Sequence, residues 1–116
     1  MAAARTESEG LARDLAPSLL AESRESRRGG WAVARPGVVA LEDQFAALAR
    51  SAPDVADSTV ASDLATAVGD VLRTLDQEVR APEEQGATAL RAAQDAALRL
   101  EEHLSALGSP TPPGPS

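Results

Sequence analysis

The sequence predicts an all-α protein: an antiparallel, coiled-coil-like helical hairpin with a third short helix, flanked by disordered N- and C-terminal segments. Three observations carry that expectation. Leu90, Ala93, Ala97, Leu100, Leu104 and Leu107 fall alternately three and four residues apart, the a/d spacing of a coiled-coil seam. Ala61, Leu64, Val68, Val71 and Leu75 repeat the same alternation one helix earlier. Start and stop signals bracket the last helix: Pro82, Glu83 and Glu84 suit a helix N-terminus, and Gly108 followed by a proline-rich stretch suits its end.

The chain divides into three parts on this reading. Residues 1–37 are expected to be flexible, with a short helix from about Ser8 to Ser23 suggested by Leu11, Leu15 and Leu19 recurring every four residues. Pro17 falls inside that run and is expected to break or kink it unless the helix begins there. Arg28-Gly29-Gly30 reads as a flexible break and Arg35-Pro36-Gly37 as a turn, with Trp31 to Ala34 extended between them.

Residues 38–108 hold the helical domain. Val38, Leu41, Phe45 and Leu48 mark a short helix running to about Arg50, and Ser51-Ala52-Pro53-Asp54 resembles a capping box that restarts the chain. The next helix extends to Arg80, with Gly69 in its interior costing about 1 kcal/mol relative to Ala unless a neighbour approaches closely there. A tight reversal then leads into the last helix. Ala93 and Ala97, facing Val68, Val71 and Leu75, would let the two axes approach. Residues 109–116, Ser-Pro-Thr-Pro-Pro-Gly-Pro-Ser, are expected to be extended and disordered.

Composition sets the limits on function. Of 116 residues, 25 are Ala and only 23 are Leu, Val or Phe, with no Ile; that is about the 20% level below which highly charged chains fail to order. A partner chain completing so thin a core is therefore expected. The net charge is −7. It is uneven: residues 38–116 carry thirteen acids against five arginines, a net of −8, which disfavours nucleic-acid binding through phosphate neutralisation. With no cysteine there is no disulfide, thiol nucleophile or thiolate metal site, and with no lysine no Schiff-base chemistry. The apolar run Leu15–Ala21 is too short and broken for a membrane span or signal peptide, so a cytoplasmic location is the default.

No catalytic, cofactor or metal site assembles from the remaining residues. His103, the single histidine, has no ligand-bearing residue three or four positions away on its face and suits a helix C-terminus as a cation. The pairs Glu83/Glu84 and Glu101/Glu102 point about 100° apart on a helix and do not converge. Trp31 is expected either to fold back onto the hairpin or to anchor a partner.

The expected function is thus a non-catalytic helical scaffold or adaptor subunit of a multiprotein coiled-coil assembly. Its partners would be other helical subunits, alike or different, and not nucleic acid. The partner-binding seam would be Leu64, Val68, Val71, Leu75, Leu90, Ala93, Ala97, Leu100, Leu104 and Leu107. In layout the chain resembles small helical subunits of the coiled-coil complexes of lysosome-related organelles and kinetochores. From Val38 to Leu107 it also resembles the helical-hairpin substrates of type VII secretion, which implies a secreted effector as the alternative. It departs from that pattern at Arg80-Ala81-Pro82, where the hairpin turn lacks Trp-x-Gly.

Overall fold

The computed structural model describes residues 2–108, and every regular element among them is helical. Residues 109–116, with their expected disordered tail, lie outside the described residues. α1 (Ala2–Gly10), a π segment (Leu11–Leu15) and α2 (Ala16–Ala21) run on as one rod, because Gly10, Leu15 and Ala16 all keep right-handed helical dihedrals. A proline ring collides with the carbonyl four residues before it. Here the Ala16 N–H reaches back five residues to the Leu11 carbonyl, which widens the turn ahead of Pro17 and lets the helix pass.

The wider turn also rescues the apolar pattern. Ala4, Ser8, Ala12 and Ala16 recur every four residues and all are buried. At about 3.6 residues per turn that row would wind off the core; the π turn brings it back.

α3 (Arg24–Ser51) follows after the extended Glu22 and Ser23, whose hydroxyl caps the helix by accepting from the Ser26 N–H at 3.3 Å. This helix corrects two expectations. It runs straight through Gly29, Gly30 and Pro36, so the flexible N-terminal segment is helical, and the short Val38–Arg50 helix is only its second half. The reason is tertiary. Arg27, Trp31, Val38, Leu41 and Phe45 are buried along one face, and that burial outweighs the local cost of glycine and proline, about 1 and 3 kcal/mol each.

Ser51 ends α3 instead of capping α4. The cap is Asp54, which accepts from the Ala56 N–H at 2.9 Å ahead of α4 (Val55–Arg80). Pro82 is extended and stands outside the last helix; a 3₁₀ turn (Glu83–Gln85) intervenes before α5 (Gly86–Gly108).

α3 packs on α4, α4 on α5, and the N-terminal rod on both α3 and α5, so four helical rods among the described residues enclose one core. The bundle is elongated, 52 × 31 × 19 Å. At Gly69 the end of the Glu42 side chain of α3 lies where a Cβ would stand, a group that can swing aside. No helix among the described residues is long and apolar enough to cross a membrane.

Candidate interaction groove

The residues read as a partner-binding seam are used inside the chain. Leu64, Val68, Val71, Leu75, Ala93, Ala97, Leu100 and Leu104 are buried, while Leu90 and Leu107 are half-buried. Their cover comes from α3 and the N-terminal rod, elements that the sequence assigns to a short helix and a flexible segment. The structure thus puts most of these side chains in the core of this molecule.

Trp31 folds back onto the bundle, one of the two alternatives open for it. Its Nε1–H donates to Asp76 Oδ1 at 2.8 Å, and the Arg35 Nε–H donates to the same carboxylate at 2.9 and 3.2 Å. Those bonds, Arg35 foremost, hold the Asp76 carboxyl below the usual carboxylate range despite its partial burial. One turn away, Arg27 and Glu78 form a buried ion pair at 2.7 Å. Both contacts clamp the first half of α3 to the end of α4, so the core is rigidly framed at that end.

Between the N-terminal rod and α5 runs a groove of about 630 Å³. Ala12, Arg13, Pro17, Leu20 and Ala21 form one wall, and Gln94, Ala97, Leu98 and Glu101 the other. Leu98 is 61% exposed, an apolar side chain left in solvent beside a groove already lined with apolar groups. The two walls are tied by Arg13, whose Nε–H donates to Glu101 at 2.9 and 3.2 Å. Ser105 Oγ adds a bond to the same carboxylate at 2.9 Å. The bond from Arg13, then that from Ser105, holds the Glu101 carboxyl below its ordinary value, and Glu101 in turn raises Arg13.

Apart from Ala97, none of these lining residues belongs to the seam read from the sequence. Leu98 carried the available signal: a leucine one position off an otherwise regular seam belongs to a different face. The remaining wall was hidden because it depends on where the N-terminal rod lies. His103 is exposed on α5. Among the described residues no three His, Asp or Glu side chains gather in a way that could hold a metal ion.

Comparison with known proteins returns no match: no family model, no curated protein and no solved structure corresponds to this chain.

Proposed function

We propose that this chain is a non-catalytic helical adaptor subunit that holds another helical polypeptide in the groove between its N-terminal rod and α5. The observation that carries the reading is the exposed Leu98 beside apolar Pro17, Leu20, Ala21 and Ala97, in a bundle whose seams are already filled. An apolar groove framed by two helices is the receptor half of helix-in-groove recognition. The reading keeps the arrangement expected from the two seams, α4 and α5 as an antiparallel coiled-coil-like hairpin, and moves partner binding from those seams to the groove.

A photo-activatable side chain placed at Leu98, and in a control protein at the exposed Asp63 of α4, tests it in native cells. The expected result is one identified polypeptide cross-linked through a helical segment from position 98 only. Equal yields from both positions, or none from position 98, would overturn the proposal.

A further inference from the structure

The N-terminal rod is fastened to the bundle differently from the other helices. α3, α4 and α5 bury large side chains, Trp31, Phe45, Leu64, Leu75, Leu100 and Leu104, almost completely. The rod seats itself with the small row Ala4, Ser8, Ala12 and Ala16, helped by Leu11 and Leu19. Small side chains remove less apolar surface from water, so each turn of the rod is held more weakly.

Polar contacts repeat the contrast. α3 is tied to α4 by the buried Arg27–Glu78 pair and by the bonds from Trp31 and Arg35 to Asp76. Arg13 and Glu101, which tie the rod to α5, are 46% and 34% exposed, a setting in which an ion pair adds little. The buried Ser8 hydroxyl donates to the Ala4 carbonyl at 2.9 Å, a bond inside the rod that survives wherever the rod lies.

Both edges of the rod are open. The groove already described runs along its α5 side, and on its α3 side a second groove of about 300 Å³ separates Leu11 and Leu15 from Ala34, Val38 and Leu41. A hinge is in place as well. Glu22 and Ser23 are extended, with ψ of 164° and 158°, between two helices. Arg27 Nη1 donates to the Glu22 carbonyl at 2.7 Å, which fixes that linker to α3. Leu19, packed over Gly30, lies next to this pivot, where an outward swing displaces it least.

We infer that the N-terminal rod is a lid. It swings out as one unit about Glu22–Ser23 while α3, α4 and α5 stay packed. Its departure merges the two grooves into one trough, with Val38 and Leu41 on one side and Ala97 and Leu98 on the other. The motion goes beyond the adaptor reading and needs no guest. The seat it uncovers has the width of a helix, because the rod that leaves it is one.

Native-state amide exchange of the full chain, alone in solution, tests the lid. A lifted helix without tertiary cover holds its hydrogen bonds weakly in water, so its amides exchange together. Amides of residues 6–21 are expected to share one opening rate and to be at least about tenfold less protected than those of residues 64–75 in α4 and 41–48 in α3. A short bis-maleimide bridge between Arg13→Cys and Glu101→Cys pins the rod, and the native chain has no cysteine to compete for the reagent. The bridge should raise protection in the rod by a similar factor and leave α4 unchanged. Overturning results are rod amides as protected as those of α4 before bridging, protection that declines steadily from residue 21 to residue 6 as in fraying, opening of α3 together with the rod, or a bridge without effect. A failed lid would leave the cross-linking test from position 98 untouched, and failure of that test would leave the lid standing.

Discussion

Arg27 Nη2–H donates to Glu78 Oε1 at 2.7 Å with both side chains buried, tying the first turn of α3 to the last turn of α4. The same guanidinium donates from Nη1 to the Glu22 carbonyl at 2.7 Å, so one side chain joins the end of the N-terminal rod, the start of α3 and the end of α4. The pairing is single-pronged. Arg27 Nε and Glu78 Oε2 have no protein partner, which limits what the pair adds over an apolar contact of the same shape.

Glu78→Ala should therefore destabilise the fold by about 3–5 kcal/mol, because it leaves the buried Arg27 charge without its counter-charge. The double variant Arg27→Met/Glu78→Leu should recover most of that loss. Urea denaturation of the two variants beside the parent checks it; a double variant as unstable as the single one would show that the charge pair itself carries the stability.

Stability should fall in acid through Asp76 and Glu101. Both carboxyls lie lower in the folded chain than in the unfolded one, Asp76 chiefly through the Arg35 bond and Glu101 chiefly through the Arg13 bond. The unfolded chain then binds more protons, so the stabilisation is complete above the unfolded values, about 4, and disappears as pH falls through the folded values. Urea midpoints should be level down to about pH 5 and drop below about pH 4. Asp76→Asn should begin lower at neutral pH and show a shallower fall. An acid limb as steep in Asp76→Asn/Glu101→Gln as in the parent would place the effect elsewhere.

Pro36 stands in the interior of α3 and is exposed, with the first half of the helix held by Arg27 and Trp31. Pro36→Ala should raise stability by up to about 3 kcal/mol, since it returns an N–H to the Ala32 carbonyl and removes the ring clash. A neutral or destabilising result in thermal melts would mean that the helix is broken at this position.

The helical glycines separate by what a methyl group would meet. At Gly29 there is open space, and at Gly69 only the flexible ends of Glu42 and Arg73, so alanine at either site should stabilise by at most about 1 kcal/mol. At Gly30 the new Cβ would lie 2.6 Å from Leu19 Cδ2, a side chain held in the core. Gly30→Ala should lower the melting temperature while the other two raise it.

Much of the second half of the chain was legible residue by residue. The inward row of α4 and α5, from Leu64 to Leu104, appears in the sequence because helical period is a local property that neighbouring residues state together. The first half was not. Gly29, Gly30 and Pro36 speak locally for a break, and the contacts that override them join Arg27 to Glu78 and Trp31 to Asp76, residues 51 and 45 positions apart. Pro17 likewise speaks locally for a break, a kink or a fresh helix start. The four-residue recurrence of Ala4, Ser8, Ala12 and Ala16, longer than the helical turn, was the available hint of the π register that carries the rod past it.

The sequence alone determined that the chain is helical, that α4 and α5 bury those faces, and that its charge is acidic. Tertiary structure decided what covers the faces and what stays open. A leucine row has the same spacing whether its cover comes from its own chain or from another, because burial removes apolar surface from water without regard to the source of the covering atoms. The positions of α3 and of the N-terminal rod closed the seams and left Leu98 beside an open groove.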